Sequence, residues 1–235
     1  SATRQDAFGK EANRRTADYL AQEFVPLLAP AFAGHLGAAM PVVVEGQDVL
    51  IEYPRAFSLA AIQPRLRLEI GPMAAWVPNE TRPIRPYAAE RFPGLFRQAE
   101  TMVRTIAAER TFWEKATILH QEAHRGPEKA LPARQSQHYY DMVHLNRLPI
   151  RERALADLAL LDDVVQFKMR FYRCPWADYE QAQPGSLKLL PPPHHVAELA
   201  RDYEAMQAML FGDIPTFAAM MAELTGPEKA INDLG

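Results

Sequence analysis

In the stretch ERTFWEKATILHQEAHR, residues 109–125, Thr111 and Glu114 stand three apart at the head of an apolar run. That is the spacing of a capping box, in which the threonine oxygen accepts the N3 amide while the glutamate reaches back. Lys115 would then lie in the first helical turn, where the helix dipole disfavours a cation. A lysine there is either a solvated surface residue or one held beside something anionic. Further on, ARQSQHYYDM spaces Arg134, His138 and Asp141 at i, i+4 and i+7, which on a helix is one polar stripe. Opposed to Lys115, that stripe could line a phosphate site.

Other residues offer different chemistry. His120 and His124 in HQEAH are four apart, the spacing of two zinc ligands on one helix face. The zinc-hydrolase pattern puts its glutamate directly after the first histidine. Here Gln121 takes that place and Glu122 comes one later, turning the carboxylate by about 100° around the helix. Two polar helix residues are the plainer reading. Glu69 is an acid between apolar neighbours in LRLEI. A sheet would hold such an oxygen rigidly for a metal, yet any solvent-facing strand shows the same pattern. Lys168, with Arg170 and Arg173, clusters positive charge on a later helix, where a snorkelling surface face is the simple alternative. The single Cys174 excludes an internal disulfide and has no activating base nearby in sequence. His194 and His195 follow three prolines, as at a solvated loop and helix start.

The elements that must position these groups divide into a strand-containing first half and a helical second half. Residues 4–33 read as helix, and Val42–Val44, Val49–Tyr53 and Leu66–Ile70 as short strands. Pro78, Pro83, Pro86 and Pro93 mark an irregular connection, and residues 100–107 a further strand. Beyond Thr111 the chain reads as helix: the two helices above, one over Arg151–Tyr172, and closing helices near 195–211 and 214–224. The charge-free run 24–44 is long enough to span a bilayer, but its three prolines and two glycines indicate a helix end, a loop and a strand start. A chain of 235 residues, 48% hydrophobic and 23% charged, can bury a sizeable core, and its net charge of −3 argues against nucleic-acid binding by bulk charge alone. With no basic leader or cleavage pattern, a cytoplasmic location is expected.

The blocks RLRLEIGPMAAWVP, RTFWEKATILHQEAHR, QSQHYYDMVHL, LDDVVQFKMRFY, WADYEQAQPGSLKLLPP and DYEAMQAMLFGDIPTF, with the final EKAIND, resemble in order and spacing the AbiEii/AbiGii nucleotidyltransferase toxins of type IV toxin–antitoxin and phage-abortive systems. The resemblance covers roughly residues 53–233. It implies an α+β fold: a polymerase-β-like nucleotidyltransferase core with a mixed β-sheet over residues 1–107, then a mainly helical domain, 108–235, completing the nucleotide site. It implies transfer of NMP from an NTP to an acceptor such as tRNA, with Mg²⁺ as cofactor and a cognate antitoxin as partner. Glu69 matches the family's third metal-binding carboxylate. Lys115 matches its phosphate-holding lysine and Asp141 the aspartate of its YYD motif, both catalytic. His138 stands where other members have an acid, and Lys168 and Arg134 are expected to bind nucleotide alongside Lys115. The family's Gly-Gly/Ser turn and Asp-x-Asp pair are not found in residues 1–68, so the core is expected to lack its first strands. A non-catalytic nucleotide- or RNA-binding protein on the same scaffold is the alternative.

Overall fold

The computed structural model describes residues 2–36, 40–55, 63–71 and 75–235, and the chain divides into two units between Ala74 and Ala75. In the first unit, α1 (Ala2–Tyr19) and α2 (Val25–Leu36) are joined by one π-helical turn, Leu20–Phe24, closed by the Val25 amide on the Leu20 carbonyl. Pro26 explains the widened turn. It has no amide to donate, and its ring crowds the preceding turn, so the helix continues by opening up just ahead of it.

Three antiparallel strands follow, β1 (Val42–Glu45), β2 (Asp48–Glu52) and β3 (Arg65–Glu69), in that spatial order. Gly46 takes φ 63 in the two-residue β1–β2 turn, a conformation open to glycine at little cost. Central β2 buries Val49 and Ile51 against Leu20, with Phe24, Val25, Leu28 and Phe32 around them. On β3, Leu66 and Leu68 pair with Ile51 and Val49, so they share the helix-facing side as their alternation implies. Yet every residue of this outer strand is exposed. The charge-free run is thus α2 followed by β1, and the loop expected between them falls on residues 37–39, outside the described residues. Among the described residues no helix is long and apolar enough to cross a membrane.

The second unit opens with an antiparallel pair, β4 (Asn79–Ile84) and β5 (Thr101–Ile106). The proline-rich connection expected here therefore contains a strand. Pro83 is tolerated because a two-stranded ribbon leaves outer edges on which a missing amide breaks no ladder. Residues 85–100 link the strands and hold α3 (Tyr87–Arg91) and a 3-10 turn, Pro93–Leu95. Both sheets are antiparallel, which corrects the expected mixed sheet among the described residues. The β1–β2 connection is a tight turn, whereas parallel pairing needs a long crossover.

The helices α4 (Ala108–Ala123), α5 (Ser136–Asn146), α6 (Ile150–Leu155), α7 (Leu158–Phe171), α8 (Val196–Met206) and α9 (Phe217–Asn232) build the main core. Helix α4 is its axis, with Phe112, Trp113, Ala116, Thr117, Leu119 and His120 buried around most of its circumference. It packs on α5, α6 and α7. The helix expected over Arg151–Tyr172 is broken, because the Asp157 carboxylate accepts the Leu160 amide at 3.0 Å and caps a new helix. Helix α9 runs through Pro227 to Asn232, further than expected. Its end is held in place: Glu228 accepts the Leu189 and Leu190 amides, and Asn232 bonds both the amide and the carbonyl of Leu187.

Candidate functional site

Lys115 does not occupy a first turn. Helix α4 begins at Ala108, and the Thr111 hydroxyl turns back toward the Ala107 carbonyl at 3.5 Å instead of capping. Glu114 is engaged elsewhere, its carboxylate accepting Arg110 Nε at 3.0 Å, and Arg110 in turn donates to the Val77 carbonyl at 2.6 Å. The expected capping box is therefore replaced by an i,i+4 ion pair that ties the approach to β4 onto α4. Lys115 lies two turns into the helix, beyond the reach of the dipole at its start.

What holds Lys115 is anionic and polar, as one of its two expected settings required. Its Nζ donates to Asp141 Oδ2 at 2.7 Å and to His138 Nδ1 at 3.1 Å, both on α5. Because an ammonium can only donate, His138 Nδ1 is the acceptor and the ring proton belongs on Nε2. Burial, then the adjacent Lys115 charge, push the His138 pKa down to about 4, so the imidazole is neutral at pH 7. His138 and Asp141 sit on successive turns of one helix face, which is what brings both to one lysine.

Lys168 enters from α7. It is 9% exposed, so the snorkelling surface face is corrected. Its Nζ donates to the Glu114 carbonyl at 3.2 Å and lies 5.9 Å from the centre of the Tyr179 ring. Burial lowers its pKa to about 8; the Glu114 carboxylate opposes that shift and the Lys115 charge adds to it. Two cations thus repel across α4, with the Asp141 carboxylate on Lys115 and the Arg110-paired Glu114 carboxylate acting on Lys168. Such an arrangement favours an incoming anion.

Arg134 is not part of the helical stripe. It precedes α5 in a left-handed conformation, φ 64, is exposed, and gives its backbone amide to Asp202 Oδ1 at 2.7 Å. The left-handed turn ends the geometric argument that joined it to His138 and Asp141. Asp202 of α8 also accepts the Ser136 amide at 2.8 Å and its hydroxyl at 2.5 Å, so it caps α5 from another helix. No local spacing in the sequence announced that role, since its partners lie 66 and 68 residues away.

The zinc reading is overturned by His120. Its Nδ1 accepts the Lys188 amide and its Nε2 faces the Asp178 carbonyl, each at 3.0 Å, leaving no nitrogen for a metal. His195 is buried, not solvated, with Nε2 3.3 Å from the Gly126 carbonyl, while exposed His194 reaches the Arg125 carbonyl at 2.9 Å. Burial raises the pKa of the Cys174 thiol, consistent with an unreactive side chain.

Glu69 lies in the first unit, on the outer strand β3, with its side chain 70% exposed. Across the ladder it faces Asp48, and Arg67 joins the two, 2.7 Å from Asp48 and 3.3 Å from Glu69. A divalent ion there would have to displace a guanidinium. Among the described residues no group of three or more His, Cys, Asp or Glu is placed to hold a metal. These donors do not fit a Mg²⁺ centre.

No curated protein and no solved structure matches the chain. The family model described as nucleotidyl transferase AbiEii toxin, type IV TA system, matches residues 3–223, nearly the whole sequence. A toxin of such a system implies an antitoxin partner. The chain therefore belongs to the AbiEii nucleotidyl transferase toxin family of type IV toxin–antitoxin systems.

Proposed function

We propose that this protein binds an NTP in the cytoplasm and transfers its NMP to an RNA acceptor, with tRNA 3′ ends the first to test. The observation that carries the reading is the Lys115 ammonium held between Asp141 and neutral His138, with buried Lys168 behind it. In the transfer, an acceptor hydroxyl gives up its proton to water and its oxygen bonds to the α-phosphorus while the bond to the β-bridging oxygen breaks. Pyrophosphate leaves, and negative charge grows on it. Preorganised cations near that charge stabilise the transition state more than the ground state. Lys115 is the direct phosphate contact. Lys168, already satisfied by a carbonyl, adds positive potential from within the core. Asp141 and His138 orient Lys115.

The test is Lys115→Ala assayed with each labelled NTP and total tRNA. Transfer should fall on the order of a hundredfold while the thermal midpoint stays near wild type. Undiminished transfer would remove Lys115 from the site. A second reading, nucleotide or RNA binding without catalysis, is favoured by the pairing of Glu69 with Arg67. It predicts NTP binding that depends on Lys115 and no labelled RNA from the wild-type protein.

A further inference from the structure

The second unit leaves two aromatic rings almost wholly in water. Tyr87, the first residue of α3, is 73% exposed, and Phe211, between α8 and α9, is 74% exposed. They come from segments far apart in sequence, yet their ring centres are 5.7 Å apart and their planes tilted by 39°. A pair this open adds little to the core, and large apolar groups brought together at a surface mark an interaction site.

The charge around Tyr87 differs from that of the chain. Residues 79–106 contain five arginines and three glutamates, against a net charge of −3 for the whole protein. Glu80 is paired with Arg82 at 2.8 Å, while Arg85, Arg91 and Arg97 stand exposed on the β4–β5 connection that carries Tyr87. The ribbon bearing this connection is rooted at the start of α4, where the Ala107 amide bonds the Pro78 carbonyl at 2.9 Å. The connection itself leaves the opposite end of the ribbon, beyond the Ile84–Thr101 pair.

We propose that Tyr87 and Phe211 form a stacking platform for an unpaired base of an RNA strand, with the arginines of the β4–β5 connection holding its phosphates. Aromatic faces stack on any base, and guanidinium groups neutralise the backbone without reading sequence. The openness of the rings argues for a polymer over a free nucleotide: neither ring is enclosed, so each needs further contacts along a strand to be useful. Binding itself stands apart from catalysis; only the identity of the strand as the acceptor rests on the transfer reading above.

The test is fluorescence anisotropy of a labelled single-stranded RNA with the full chain, without NTP, beside a duplex of the same length. Tyr87→Ala and Phe211→Ala should each weaken single-strand binding on the order of tenfold. Tyr87→Trp should retain it, and the salt dependence should change little, because no charge is removed. Arg91→Ala should instead weaken binding and flatten its salt dependence. Both rings are exposed, so unchanged melting curves will separate lost contact from lost fold. Unaltered RNA affinity in both ring variants would overturn the platform. So would an equal loss on the duplex, a loss confined to labelled NTP, a loss confined to anionic vesicles, or a dimer that the ring variants dissociate. Ring-dependent RNA binding in a protein that transfers no label would leave the platform standing and remove the transferase reading.

Discussion

The acid expected to hold a metal and the lysine expected to hold phosphates occupy opposite physical settings. Glu69 lies on an outer strand whose five residues are all exposed, and its carboxylate answers to Arg67 and, through it, to Asp48. Lys115 lies on the helix with the most buried residues among those described, with partners supplied by α5 and a second lysine entering from α7. A site of stated geometry needs neighbours that cannot move independently, and packed helices provide them. Ion pairs made by exposed side chains of an outer strand do not, because water competes for their contacts. The difference places the organised set of polar contacts on α4, α5 and α7.

The contrast is broken most forcefully in the core. Trp113 is fully buried beside Phe112, with ring centres 5.1 Å apart in an edge-on arrangement. Trp113→Ala should cost about 3–5 kcal/mol in denaturant unfolding, through the lost transfer energy and the cavity left behind. Leu66→Ala, on the outer strand at 52% exposure, should stay within about 0.5 kcal/mol. Equal losses would mean that the outer strand is as firmly packed as the helices.

Acid provides the next largest effect. Burial lowers the His120 pKa from 6.5 to about 4, so the folded protein holds it neutral while the unfolded chain protonates it. Its contribution is complete above pH 6.5 and is lost as pH falls through the interval from 6.5 to about 4. Over that range the loss amounts to roughly 3 kcal/mol from this residue. His138, lowered to about 4 by burial and Lys115, acts in the same direction. His120→Gln should flatten the acid limb of a stability–pH profile. An unchanged limb would assign it to other groups.

Much of this arrangement was legible in the residues. The i,i+3 spacing of His138 and Asp141 placed both on one face, and the YYD and EK blocks pointed to the same lysine that the structure places between them. The strands β1 to β3 lay within a residue or two of their alternating patterns. What misled was local chemistry with more than one solution. Thr111 and Glu114 have capping-box spacing, but Arg110 was also four residues before Glu114, and the ion pair took the glutamate. Asp157 sat inside an apolar period that continued across it, and its own side chain ended that period by capping α7. The cap on α5 was invisible for a different reason. Asp202 belongs to another helix, and only tertiary packing brings it to Ser136.

Lys168 sharpens the comparison from the other side. Its charge lies in the core, where burial lowers its pKa from 10.5 to about 8. The charged form is therefore disfavoured by folding, and stability should rise as pH climbs from about 8 toward 10.5. Lys168→Met replaces the ammonium with an apolar group of similar length. Such exchanges of buried charges are often neutral or stabilising, and the variant should equal or exceed wild type by about 1 kcal/mol, without the alkaline rise. Transfer should nevertheless decline, since the potential behind Lys115 is lost. A variant that is less stable and fully active would make Lys168 a structural anchor of the Glu114 carbonyl and nothing more.

The smallest effect on stability belongs to the strand carboxylate, and it decides what that carboxylate is for. Arg67 and Glu69 are both well exposed, so Arg67→Ala and Glu69→Gln should leave the unfolding midpoint where it is in wild type. With stability constant, activity is read cleanly. If Glu69 serves only the ion pair, both variants should transfer NMP as wild type does, and the organised lysine site accounts for the chemistry by itself. If Glu69 is a working ligand that Arg67 restrains, Glu69→Gln should abolish transfer while Arg67→Ala preserves or raises it. The two substitutions break the same contact, so only a function of the carboxylate itself can separate them.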